Sequence, residues 1–190
     1  MKTIRTQKFM AAALLCALAV TAQAADSKIE SQQQAIRTMS QDTLQTLYQA
    51  NPKTEKIVAR AAGYAVFSNL GVKILFAGSG NGKGLAVNNK TKSETFMKML
   101  EIKGGLGLGV QKFRVVFVFD NQKVFNTFVN SGWQFGGQAT LAAKNGDKGA
   151  AMAGAVSVSD GVWMYQLTDK GIAAEITAKS TKYYKDGDLN

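Results

Sequence analysis

Four glycines, an asparagine and a lysine in GSGNGKG (78–84) are the residue types from which a phosphate-wrapping loop is built. Such a loop follows G-x-x-x-x-G-K-[ST]: its amides hold the phosphates, the lysine reaches the outer ones and the hydroxyl holds magnesium. Gly78 to Gly82 leaves one residue too few, and Gly84 stands where the hydroxyl belongs. The strand-like KGLAV follows where a helix N-terminus should face the anion. The second glycine run, GGLGLGV (104–110), lacks the closing spacing of a dinucleotide fingerprint, and no helix follows it. Nucleotide binding is therefore set aside. GSGNGKG is expected to form a β-hairpin turn, with Gly and Asn supplying positive φ.

Acid–base and nucleophilic chemistry fare no better. The chain has no histidine, the usual general base and commonest zinc ligand, and its single cysteine is Cys16. No serine has a lysine three places on, which removes an S-x-x-K dyad. The carboxylates Asp42, Glu55, Glu94, Glu101, Asp120 and Asp147 stand singly, so a two-carboxylate hydrolase would need tertiary convergence. The closing YYKDGDLN has two acids around Gly187 but too few oxygen ligands for a calcium loop, and it reads as a solvated tail. The expectation is a protein that is not an enzyme, with no metal and no cofactor.

Positive charge is the remaining resource. There are 23 basic residues against 13 acidic ones. Lys53, Lys56 and Arg60 fall at i, i+3, i+7, one face of a short helix, and Lys112 and Arg114 flank the entry to an apolar strand near Lys103. Gathered near an acidic bilayer, three to five such residues could hold a protein on anionic phospholipid; the plainer alternative is a solvated helix face. Nucleic acid is not expected as a partner, because no aromatic stacking platform accompanies the charge. Trp133, Phe135, Trp163 and Tyr165 alternate along strands and read as core.

The elements that must position these residues begin after a leader. Lys2, Arg5 and Lys8, then FMAAALLCALAV (9–20), then AQA (22–24) have the layout of a Sec-type signal peptide cleaved between Ala24 and Ala25. Cleavage removes three basic residues, leaving 20 against 13, a net charge of +7, and removes Cys16. The expected exported protein is periplasmic or extracellular and has no disulfide.

Residues 27–50 form an amphipathic helix, with Ile29, Ile36 and Leu47 within about 20° on the helical wheel and Met39, Leu44 and Tyr48 beside them. Its polar face is rich in glutamine, so it is expected to dock on its own domain rather than on a membrane. A second helix starts with Asn51 as N-cap and Pro52 in the first position, and Gly63 ends it. Strands are expected at 64–68, 72–78, 83–89, 94–102, 113–119, 133–143, 151–159, 162–168 and 172–181. FRVVFVF (113–119), apolar on both faces, is placed centrally. A helix over 121–132 interrupts them, capped by Asn121 and stopped by Gly132. This is an α+β domain: two N-terminal helices on a glycine-rich, strongly curved antiparallel sheet or sandwich with one inserted helix.

LYQANPKTEKIVARAAGYAVFSNL (47–70), GSGNGKGLAV (78–87), FMKMLEIKGGLGLGVQKFRVVFVF (96–119), FVNSGWQFGGQA (128–139) and TKYYKDGDLN (181–190) together resemble a SYLF domain. The resemblance runs from about residue 40 to the end of the sequence and implies a single domain over 25–190, helical over 27–62 and β-rich over 63–190. It also implies lipid binding. Eukaryotic members add SH3 or FYVE modules and bind phosphoinositides and actin; an exported chain meets neither, so actin binding is not expected here. The family's lipid contacts do not map onto a compact motif, and Lys53, Lys56, Arg60, Lys112 and Arg114 rest on charge and spacing alone. The reading is a non-catalytic exported protein that binds anionic lipid through a basic face. Its alternative is a structural or partner-binding component of the cell envelope.

Overall fold

The computed structural model describes residues 4–68, 81–101, 114–135, 154–168, 171–172 and 181–190. Helices α1 (Ile4–Ala50) and α2 (Lys53–Arg60) lead into β1 (Gly63–Ser68), β2 (Asn81–Asn88), β3 (Glu94–Glu101) and β4 (Arg114–Phe119). Helix α3 (Gln122–Ser131) follows, then β5 (Trp133–Phe135), β6 (Val156–Ser159), β7 (Val162–Thr168), β8 (Gly171–Ile172) and β9 (Thr181–Lys185). The strands pair antiparallel in the order β5-β9-β3-β2-β1-β4-β7-β6, with β8 on β7, and the sheet curls into an open half-barrel. This is the expected α+β arrangement. The expected strand at 72–78 and most of 133–143 and 172–181 lie outside the described residues, as does GGLGLGV.

Strand alternation sends side chains to two different cores. Ala65, Phe67, Val115, Phe117 and Phe119 point to one face, where they meet Phe125, Phe128 and Val129 of α3. Val66, Val116 and Val118 point to the other, under Leu44 and Leu47 of α1 and Val58 of α2. Covering on both faces is why FRVVFVF is apolar throughout, and β4 does sit inside the sheet between β1 and β7. On the α3 side the rings of Phe67 and Tyr183 meet edge-on with centroids 4.7 Å apart, and those of Phe117 and Tyr183 at 5.0 Å. Such contacts add roughly 0.5–1.5 kcal/mol each beyond the area they bury.

Helix α1 docks on the domain, as its stripe predicts. Ile36 and Leu47 are fully buried, and Ile36 packs with Leu85, Val87, Phe96 and Leu189. Helix α3 is set by its caps: the Asn121 side chain accepts from the Val124 N–H at 3.0 Å, and Gly132 at φ +70° closes it. Among the described residues, no helix is long and apolar enough to cross a membrane.

Two expectations need correction. Asn81, Gly82, Lys83 and Gly84 belong to strand β2, so this half of GSGNGKG is not a turn; residues 78–80 lie outside the described set. Gly84 faces Phe67 across the β1–β2 ladder, and a Cβ there would sit 2.2 Å from the ring. The glycine makes room for an aromatic side chain and does not supply a turn conformation. The closing segment is not a solvated tail either. Residues 181–185 form β9, between β3 and β5, and Asp186 and Leu189 are buried.

Candidate functional site

Helix α2 has a short sequence with a sharp division. Thr54 and Val58 are buried, while Lys53, Lys56 and Arg60 are exposed. At 100° per residue the three cations span an arc of about 60°, turned away from the buried side, with Glu55 on another flank. The start of the helix is held by Asn51, whose side-chain oxygen accepts from the Lys53 N–H at 3.2 Å. Pro52 has helical dihedrals, and the hydrogen-bonded helix begins one residue later, at Lys53. Arg60, in the last turn, is placed well for the negative end of the helix dipole.

The exit of α2 is tied to the sheet through Asn89. Its side-chain amide donates to the carbonyls of Val58 at 2.6 Å and Ala61 at 2.9 Å, and its backbone N–H donates to Ala62 at 3.0 Å. These bonds satisfy carbonyls that a helix end leaves open. They also bring the β2–β3 turn, with exposed Lys90 and Lys92, against the C-terminal end of α2. The sequence reading missed these two lysines, because nothing local in NNKTKS ties them to a helix some thirty residues earlier.

Of the other two basic candidates, Arg114 does not join this surface. Arg114 is half-buried, its guanidinium turns to Thr46 of α1 with Nη1 3.4 Å from the hydroxyl, and its Nε is buried without a hydrogen-bond partner. It stands at the far end of β4 from Phe119, whose carbonyl accepts from Ala62 at the α2 exit. Lys112 lies outside the described residues.

A buried charge cluster, also missed, holds the closing segment. Asp186 is fully buried and paired with Lys83 of β2 and with Lys98 of β3, the latter at 2.8 Å; Lys98 also reaches Asp188 at 2.7 Å. Burial pushes the Asp186 carboxyl up, but the hydrogen bonds from Lys83 and Lys98 outweigh it and hold the group below the usual carboxylate range. Hydrogen bonds to Asp186 and then Asp188 raise Lys98 above the usual lysine range. Asn190 accepts from the Phe96 N–H at 3.0 Å and donates to the Phe96 carbonyl at 2.8 Å, and Gln33 of α1 donates to the Leu189 carbonyl at 2.9 Å. Both lysines are engaged by carboxylates, so the cluster fastens the segment to the sheet and to α1.

A cleft of about 370 Å³ lies between α3 and the β6–β7 turn, floored by Phe119, Phe128 and Val162 and edged by Lys123, Trp133 and Asp160. Among the described residues Asp160 is the one carboxylate in its lining. Nearby Asp120 accepts from the Trp163 indole N–H at 3.0 Å, so Trp163 has a polar role at the sheet end, while Tyr165 is buried as expected. Among the described residues no three His, Cys, Asp or Glu side chains are grouped to hold a metal ion.

Comparison with known proteins bears on the same residues. The profile of the Ysc84 family, described as a Las17-binding protein actin regulator, matches residues 100–190. Beta cell expansion factor A from Aeromonas veronii is 30% identical over 155 residues, covering 82% of this chain and 58% of that protein. The chain thus spans a little over half the length of that relative. Of the segments that carry the resemblance in the sequence, the profile covers residues 100–119, 128–139 and 181–190, and this part of the chain belongs to the SYLF-domain family.

Proposed function

We propose that this chain is an exported, non-catalytic protein that holds to anionic lipid surfaces through the basic face of α2. The observation that supports this best is the exposure of Lys53, Lys56 and Arg60 on one arc of a docked helix. Among the described residues no carboxylate is paired with any of them. Each cation near an acidic bilayer contributes roughly 1 kcal/mol, so the three together supply about 3 kcal/mol of attraction that salt screens. Export rests on the leader over 1–24 and cleavage between Ala24 and Ala25, and it places the protein where actin is not a partner.

Flotation of the exported protein with vesicles of phosphatidylcholine, with and without phosphatidylglycerol, tests the reading across a salt series. Binding is expected only to the acidic vesicles and to fade as salt rises. The triple variant K53E/K56E/R60E is expected to lose at least ~100-fold in binding while its circular dichroism spectrum and melting temperature stay as in the parent. Unchanged flotation of the triple variant would remove the assignment.

The family profile favours a second reading, since its description is that of a protein-binding regulator. In that case the same basic surface meets an acidic protein of the cell envelope and lipid is irrelevant. One specific protein retained on the washed chain, with no flotation on either vesicle, would favour it.

A further inference from the structure

We propose that the β2–β3 turn is a second, preorganised contact to the same acidic bilayer, with Lys90 and Lys92 setting their ammonium groups against phospholipid phosphates. The inference rests on the reading of α2 as a membrane-facing helix.

The turn is built to hold one shape. The Asn88 side-chain oxygen accepts from the N–H groups of Lys90 at 2.9 Å and Thr91 at 3.2 Å. The Lys92 N–H donates to the Asn88 carbonyl at 2.8 Å, and the Asn88 N–H donates to Ser93 at 3.0 Å. The hydroxyls of Thr91 and Ser93 lie 2.8 Å apart. With the amides of Lys90, Thr91 and Lys92 engaged inside the turn, they do not form a backbone nest for an anion. What the turn offers outward is the charge of two lysine side chains, which act as point charges and not as a bidentate fork.

Lys92 sits at φ +60°, the only non-glycine residue with positive φ among the described residues. Asn or Gly takes that conformation readily, whereas for lysine it is unfavourable. Residues held in such conformations cluster at functional sites. Glu94, the nearest acid along the chain, is engaged by Arg37 at 2.7 Å, and among the described residues no ion pair involves Lys90 or Lys92. Asn89, between the turn and α2, fastens the turn to the helix end through three hydrogen bonds. The two basic groups are thereby fastened to each other at the α2 exit. Five exposed cations, three on α2 and two on the turn fastened to its exit, suit a plane of phosphates rather than a single small anion.

The test compares K90Q/K92Q, K90R/K92R and K92G with the parent in the flotation assay. K90Q/K92Q is expected to bind about 10- to 30-fold more weakly, and K90R/K92R to bind as the parent does. K92G is expected to weaken binding about fivefold while keeping or raising the melting temperature, which separates charge from folding. Inorganic phosphate is expected to compete no better than chloride at matched ionic strength; stronger competition would overturn the bilayer in favour of a discrete phosphate site. Parent-like flotation of K90Q/K92Q alongside loss in K53E/K56E/R60E would overturn the turn's role and leave that of α2 standing. Absence of flotation in the parent itself would overturn both.

Discussion

At the scale of single residues, glycines and lysines have the widest gap between local appearance and role. Gly84 looks like part of a turn, yet it lies in a strand beneath the Phe67 ring, with the Val66 carbonyl 2.6 Å from where a Cβ would be. Replacing it with alanine forces both the ring and the ladder to shift. G84A is expected to cost about 1–3 kcal/mol in urea unfolding. Adding F67L, which retracts the ring, should make the alanine less costly in a double-mutant cycle. The reason for the glycine was not legible in the sequence, since it depends on which residue of β1 stands opposite in the register. Lys90 and Lys92 were missed for the same reason: their neighbour is α2, reached through Asn89 and not along the chain.

Elements whose signals lie within their own span were read most closely, although α2 ends at Arg60 with Ala61 as its cap and the Gly63 expected to stop it opens β1 instead. Asn121 and Gly132 bracket α3 in the sequence and in the fold, and Phe125, Phe128 and Val129 form its buried side. N121A should remove the bond to the Val124 N–H and cost about 1 kcal/mol, read as a lower urea midpoint with α3 still formed. The stripe of α1 placed Ile36 and Leu47 on the domain, and glutamines on its other face agreed with that. The closing segment was the element least visible in its own residues. Two aspartates and a glycine suggest solvent, but Asp186 finds its counter-charges on β2 and β3, Lys83 lying 103 residues earlier. Periodicity within a window cannot contain such a pairing.

For the whole molecule, ionisable groups set the range of pH over which the fold is stable. The folded value of Asp186 is lowered, so its pairing with Lys83 and Lys98 stabilises the protein fully above the unfolded value of about 4 and is lost as pH falls through the folded one. Burial pushes the phenols of Tyr48 and Tyr165 up to about 12. Above about pH 10 the unfolded chain ionises these groups while the folded one does not, so stability declines as pH rises from there. A urea midpoint measured against pH should be level near neutrality and fall on both sides. D186N should lower the plateau by roughly 2–3 kcal/mol, less than the ~3–5 of a fully buried pair because both lysines keep some solvent. It should also flatten the acid limb, and an acid limb identical to that of the parent would place the titrating group elsewhere.

Strand β9 lies between β3 and β5, and both of those are made before it. While the chain is being synthesised, the outer edge of β3 is a row of unpaired amides and carbonyls, with Met97 and Met99 beside it lacking their final neighbours. That edge can close only when residues 181–185 arrive, which makes the sheet's completion a late, long-range event. Until then the nascent chain presents a sticky strand, and a holding chaperone that pairs with or shields β3 would do for the unfinished protein what β9 does for the finished one.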